Sequence, residues 1–238
     1  MDNFAAVSPI DYKYLQKDEE LLEKVKGYSD LDVLEKLSNL VPELLIPRLD
    51  LLKEKLSDIA EGNREKGVPK RVDGKHVGKT TVGKIFNVYT EILASRIEDI
   101  GKVPLKFTNI EEVRRNNRLS DLAYYLTSTL SAEANIANDI RHHFRSEIEE
   151  FTHKEFPDER IGSSTMPHKE NPSEYEQIVS LWKAYSPRIV SAVLAQIVEH
   201  QGDSTNEFLP DYVFELSCAL SYATKSLENA LKNLKINV

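Results

Sequence analysis

Apolar positions recur at three- and four-residue steps along almost the whole chain, so the pattern predicts helices rather than strands. From Asp30 to about Arg64 it predicts a helix that Pro42 and Pro47 should end or kink, because proline has no N–H to give the preceding turn. The stretch Lys66–Lys79 holds Gly67, Pro69, Gly74 and Gly78 and predicts a loop. Thr80 or Thr81 should cap a helix running to about Asp99, with Gly101 and Pro104 stopping it. The longest stripe runs through Leu119, Leu122, Leu126 and Leu130, then Ala137, Ile140, Phe144, Ile148 and Phe151. It predicts one helix from about Ile110 to Phe151, roughly 60 Å long against a radius of gyration of roughly 18 Å for a compact chain of this size. A stripe that outruns its own globule asks for partners, other subunits among them. Thr152–Pro172 carries few apolar residues and predicts a long loop, a kind that is usually functional or disordered. Ser173 should cap a further helix to about His200, with Glu174 and Glu176 in its first turn and a kink at Pro187. A second loop, Gln201–Pro210, precedes a last helix containing Phe214, Leu220, Ala223, Leu227, Leu231 and Leu234. No internal repeat or domain linker is visible. The expected fold class is all-α, an elongated helical bundle with two conspicuous loops.

Composition supports this picture and narrows the partners. Of 238 residues only 9 are Gly and 10 Pro, sparse for a protein of many short strands. No apolar run approaches the ~18 residues of a membrane span, and the N-terminus lacks the basic-then-apolar order of a secretory leader, so no membrane association and a cytoplasmic location are expected. The single cysteine, Cys218, sits in an apolar helical stretch and is expected as a small buried hydrophobe. A net charge of −8 argues against a general nucleic-acid binder. Yet Lys70, Arg71, Lys75, Lys79 and Lys84, with His76, crowd one short stretch. This suits either a small anionic ligand or a solvated basic loop. Asp139 and His143, one turn apart, could touch a metal but are expected to be a solvated pair; no metal and no cofactor are expected.

The candidate chemistry lies in the long loop, Gly162-Ser163-Ser164-Thr165-Met166-Pro167-His168-Lys169-Glu170-Asn171-Pro172. Small residues allow such a segment to close over a ligand. A serine hydroxyl becomes a base only where its anion is stabilised, Lys169 can meet a carboxylate, and Asn171 can hydrogen-bond. The run matches the signature G-S-S-x-M-P-x-K-x-N-P of the fumarase/aspartase superfamily at every specified position, and its TMPHK variant most resembles adenylosuccinate lyases. The opening Val7-Ser8-Pro9-Ile10-Asp11-Tyr12-Lys13-Tyr14 is similar to that family's V-S-P-[IL]-D-G-R-Y, with Lys13 and Tyr14 at the nucleotide-contacting pair. Arg71, Gly74, Thr80, Thr81, Gly83 and Lys84 match the family's R-T-H-G-Q-P-A-T-P-[ST]-T-x-G-K. The loop at His200–Asn206 resembles H-E-R-D-L-T-N, retaining Asp203, Thr205 and Asn206 but carrying Gly202 at the arginine.

The resemblance implies a C–N lyase that eliminates fumarate from a succinyl-amine, a small dicarboxylate-containing anion, in purine nucleotide biosynthesis. Ser163 or Ser164 would take the carbon-bound proton, and His76 or Asp73 would protonate the leaving nitrogen. Ungapped matching favours Asp73; chemistry near neutral pH favours His76. Substrate binding would fall to Lys169, Asn171, Met166, Thr80, Thr81, Lys13, Tyr14, Asp203, Thr205 and Asn206. The domains implied are an N-terminal extension, 1–28, and a central helical bundle, 29–238, without the family's C-terminal domain. In the superfamily four copies share one helical core and each active site draws on three subunits, so a homotetramer is expected. The T-S-x-D-x-N motif is missing, which supports a competing reading: a non-catalytic homologue that keeps the oligomeric core and an anion-binding loop. A third reading takes Gly74–Thr80 as a phosphate-binding loop one residue short of G-x-x-x-x-G-K-[ST].

Overall fold

The structure is a computed structural model that describes residues 17–106, 112–154 and 171–238. Eight helices are described: α1 Glu19–Gly27, α2 Val33–Leu40, α3 Ile46–Gly62, α4 Val82–Gly101, α5 Glu112–His143, α6 Ser173–Tyr185, α7 Ile189–Leu194 and α8 Phe208–Lys232. Four short strands accompany them, β1 Gly67–Val72, β2 Lys75–Thr81, β3 Phe151–His153 and β4 Leu234–Ile236, paired as two antiparallel ribbons, β1–β2 and β3–β4. Helices α3, α4, α5, α6 and α8 pack side by side into a bundle, with α8 against α3, α5 and α6. Leu216, Leu220, Ala223, Leu227 and Leu231 of α8 are buried at helical spacing, and the α5 stripe from Leu119 to Ile140 faces the same core.

Local chemistry explains the joints. Asp32 and Glu35 form a reciprocal capping box at α2. The helical path is distorted rather than ended at the prolines. Val41–Leu45 winds as a π turn that holds Pro42, with Ile46 N–H bonding to the Val41 carbonyl, and Pro47 sits in the first turn of α3. Asp18 caps α1 and is itself buried, gripped by both guanidinium nitrogens of Arg48 (2.6 and 3.0 Å) and by Lys225 Nζ (2.8 Å). One carboxylate thereby ties α1, α3 and α8 together.

The expected Lys66–Lys79 loop is instead the β1–β2 hairpin. Asp73 (φ 51°) and Gly74 (φ 74°) both occupy the left-handed region that a two-residue hairpin turn demands. Thr81 caps α4 as expected, accepting a hydrogen bond from the Lys84 N–H. The α5 helix stops at His143 rather than Phe151. Short turns follow, Glu149 takes φ 48°, and Phe151 enters β3, where its ring packs on Phe86 and His143. The apolar rhythm persists past the helix because the chain folds back on the same core. The helix from Ser173 ends at Tyr185; a 3-10 turn at Ser186–Arg188 holds Pro187, and α7 ends at Leu194 rather than His200. The last helix begins before Pro210, not after it, since proline costs nothing in a first turn whose N–H groups have no helical partner. Leu234 lies beyond that helix, in β4. Cys218 is buried, as its surroundings suggested.

Candidate active site

At the end of the bundle where α4 begins and α5 stops, the hairpin overhangs a cleft of ≈ 1330 Å³. Lys70, Arg71, His76, Lys79 and Thr80 reach it from the hairpin and Lys84 from α4. The end of α5 and the turn after it add His142, His143 and Arg145, with Asp139, Glu147 and Glu150 as the acids. All the clustered cations of the sequence except Lys75 therefore share one concave surface, suited to an anionic ligand.

Its floor is ordered by one carboxylate. Arg71 grips Glu150 with both guanidinium nitrogens (3.0 and 2.6 Å), and His143 Nδ1 lies 2.6 Å from Glu150 Oε2. Burial alone would raise the Glu150 carboxyl; Arg71 and then His143 outweigh it and hold it below the usual carboxylate range. The His143 ring stacks on Phe151, centroids 4.4 Å apart. Nearby, Tyr89 donates its hydroxyl to Asp139 (2.8 Å), and burial followed by the Asp139 charge keeps that phenol protonated. Asp139, which is exposed, and His143, which is half-buried, are each hydrogen-bonded to a residue from another part of the chain rather than to one another.

The residues singled out from sequence fall into separate groups. His76 lies on β2 opposite Arg71 and borders the cleft, exposed. Asp73 is exposed at the hairpin tip, outside the cleft lining, where the turn itself needs it. Thr80 borders the cleft and Thr81 is the α4 cap. Gly74–Thr80 is a turn and a strand of an antiparallel pair, which overturns the phosphate-binding-loop reading: its backbone N–H groups belong to an extended strand and not to a loop wound about a helix N-terminus. Asn171 is exposed just before α6, its carbonyl accepting from the Ser173 N–H (2.8 Å). It sits at the cleft end of the bundle, because Glu176 one turn later meets Arg141 (3.2 Å) near the end of α5. Lys154, before the signature motif, is held at the end of α8 by the carbonyls of Asn233 (2.9 Å) and Lys232 (2.9 Å). Lys13, Tyr14, Ser163, Ser164, Met166 and Lys169 lie outside the described residues.

Asp203, Thr205 and Asn206 are elsewhere. Asp203 accepts from the N–H groups of Glu199 and Thr205 and from the Thr205 hydroxyl, while Asn206 donates to the Ile197 carbonyl. This self-bonded loop follows α7, and α7 is joined to the other half of α5 by Ser120 Oγ on the Ala192 carbonyl (2.5 Å). From Ser120 to His143 the helix rises about 35 Å. Within one chain this loop and the cleft do not meet. Reading the sequence did not select Glu150 or Tyr89, and it weighed His143 only beside Asp139, because Arg71 and Glu150 are distant along the chain and only the fold pairs them. One available signal was Asp73-Gly74, a hairpin dipeptide, which would have placed Arg71 and His76 side by side.

A family model described as Lyase matches residues 57–183, just over half of the chain, from the middle of α3 to the end of α6. The chain belongs to the fumarase/aspartase superfamily of lyases. Within that superfamily it is similar to adenylosuccinate lyase of Thermotoga maritima, 27% identical, covering 89% of this chain and 57% of that protein. It is 29% identical to the adenylosuccinate lyase of Pyrococcus abyssi, covering 58% of this chain and 30% of that one. An N-acetyl-S-(2-succino)cysteine lyase of Enterococcus italicus is 29% identical over 50% of this chain and 26% of its own length. The chain therefore spans between about a quarter and somewhat over half of these relatives. Among solved structures, 3-carboxy-cis,cis-muconate lactonizing enzyme of Pseudomonas putida superposes with a TM-score of 0.73 at 17% identity, over 86% of this chain and 53% of that one. That likeness bears on the fold alone, and it is a likeness of the helical bundle. Among the described residues no helix is long and apolar enough to cross a membrane.

Proposed function

We propose that this lyase-family chain eliminates fumarate from a succinyl-amine by C–N bond cleavage, as its similarity to adenylosuccinate lyases suggests. One observation carries the reading. The basic cleft opens at the end of the bundle where Lys154, before the signature motif, and Asn171, near the motif's end, are anchored. In this reading Ser163 or Ser164 takes the proton from the carbon beside a carboxylate. Lys169 and Asn171 stabilise the charge that builds on that carboxylate. The leaving nitrogen needs a proton, for which the resemblance offers His76 or Asp73; of these His76 borders the cleft and Asp73 is committed to the turn. Purine biosynthesis, a cytoplasmic setting and a homotetramer belong to the same proposal. A coupled assay of fumarate release tests it, with Ser163→Ala and Ser164→Ala beside the parent. Turnover of adenylosuccinate or a related succinyl-amine, lost in one of the two variants, is expected. No turnover of any succinyl-amine sinks it.

The roughly 35 Å of α5 between Ser120, which holds α7, and His143 at the cleft favours a second reading, a non-catalytic homologue, if the chain works alone. Only association can bring the two together. In a purely monomeric preparation the cleft would bind a dicarboxylate without turning a succinyl-amine over.

A further inference from the structure

Among the described residues, three histidines border the cleft, His76, His142 and His143, and they differ in what holds them. His76 lies on an exposed strand, and among the described residues no hydrogen bond orients its ring. His142 is exposed on the last turn of α5 and, among the described residues, reaches only Asn138, at 3.4 Å. His143 is different in three respects. Its side chain is 14% exposed, its ring lies flat against Phe151, and its Nδ1 is 2.6 Å from a carboxylate oxygen.

The carboxylate is not free to turn away. Arg71 occupies both of its oxygens from the hairpin, so three elements, the hairpin, α5 and the turn before β3, fix one ring. An ionised carboxylate only accepts hydrogen bonds, so Nδ1 carries the hydrogen and Nε2 is left to exchange a proton. A ring whose far nitrogen is held by a carboxylate is stabilised when it becomes an imidazolium. Sharing the cleft with it are Lys70, Arg71, His76 and Lys79 from the hairpin and Lys84 and Tyr89 from α4. Asp139 and His142 of α5 and Arg145 and Glu147 of the turn after it line the same cleft. The cations would attract a dianionic ligand, and that dianion would in turn favour protonation of His143.

We propose that His143, oriented by the Glu150–Arg71 pair, is the residue that exchanges a proton with a dicarboxylate-containing ligand bound in the cleft. The inference rests on the lyase reading for its reaction, in which His143, rather than His76, hands its Nε2 proton to the leaving nitrogen. There the C–H bond gives its proton to the base and its electron pair to the new C=C bond. The C–N bond breaks with its pair on nitrogen, nitrogen takes the proton from His143, and neutral histidine remains. No oxidant, reductant or further reactant is required.

Two measurements on the full chain separate the inference from the reading beneath it. The first is calorimetric titration with succinate in two buffers of different ionisation enthalpy, about one unit above the ordinary histidine value of ~6.5. The parent should take up a proton on binding, and His143→Gln should not. Equal uptake in His143→Gln, or no binding of succinate by the parent, overturns the proposal. A His143 that served only to brace Glu150 would lower the melting temperature and leave proton uptake unchanged. Should His143→Gln not fold, the His143 ring nitrogens of the isotope-labelled parent are followed by NMR; a titration unmoved by succinate overturns the proposal equally. The second measurement is fumarate release, where His143→Gln should lower kcat/KM by about 100- to 10,000-fold and remove one limb of its pH profile. If the parent shows no turnover but proton uptake depends on His143, the lyase reading falls and the proton-exchange role stands.

Discussion

A methyl group on Gly83 would place its carbon 2.7 Å from both the Ala60 carbonyl oxygen and the Arg64 Cα. Both are backbone, so α3 and α4 would have to separate. Gly83→Ala is expected to cost about 1–3 kcal/mol, read from the denaturant midpoint. Asp18 presents the opposite problem, a charge that must keep its partners. Burial alone would raise its carboxyl, but Arg48 and then Lys225 hold it low. Its stabilisation is therefore fully present above the unfolded carboxylate value and lost as pH falls through the folded one. Arg48→Met should destabilise by about 3–5 kcal/mol, because Asp18 would keep its burial and lose its main partner. Glu133 titrates with the reverse sign. Fully buried between α5 and α8, it is pushed by desolvation from 4.5 up to about 8, with only its Thr224 hydrogen bond (2.7 Å) pulling back. Its contribution is complete below 4.5 and is lost as pH rises toward 8. Glu133→Gln should flatten the fall in melting temperature across that window, which a series of thermal denaturations would reveal. None of these three was legible in the sequence, where a glycine, an aspartate and a glutamate look alike whether exposed or enclosed.

At the scale of elements, helices were legible and their ends were not. Thr81 could be identified as a cap because a hydroxyl before an apolar period has one obvious use. The stop at His143 could not, since Ile148 and Phe151 continue the rhythm of α5 from a different backbone path. The hairpin was missed because it has almost no apolar face; Val68 is buried, while Val72 and Val77 are exposed. Only its turn announces it. Gly74→Ala should loosen that turn by about 1 kcal/mol, since a Cβ is disfavoured at positive φ. Faster amide exchange across Lys75–Thr81, with the α8 amides unchanged, would be the sign.

For the whole molecule, the fold class and superfamily were readable because a long stripe and one loop motif each survive translation into sequence. The site was only half readable. Its loop motif is contiguous, whereas the Arg71–Glu150–His143 floor exists only after three elements meet. The surface carries the remaining information. Val190, Val193, Leu194 and Ile197 are exposed on and just after α7, Val88 and Ile92 on α4 and Tyr124 on α5. If the proposed association holds, the 27.1 kDa chain should sediment as a larger species. Leu194→Asp with Ile197→Asp should then shift it toward single-chain mass without changing its helical circular dichroism. A parent that sediments as one chain would leave the cleft and the Asp203 loop permanently apart.

The β3–β4 ribbon links two parts of the chain that the order of residues keeps distant. Asn237 donates its N–H to the Glu150 carbonyl (2.9 Å) and its side-chain amide to that of Glu149 (3.1 Å), while Leu234–Ile236 pairs with Phe151–His153. The stretch after α8 is thus stitched to the backbone of the residue that orients His143. A dye attached at Val238 would sit a short distance from the cleft and should change its fluorescence when an anion enters, making this end a built-in place for a sensor.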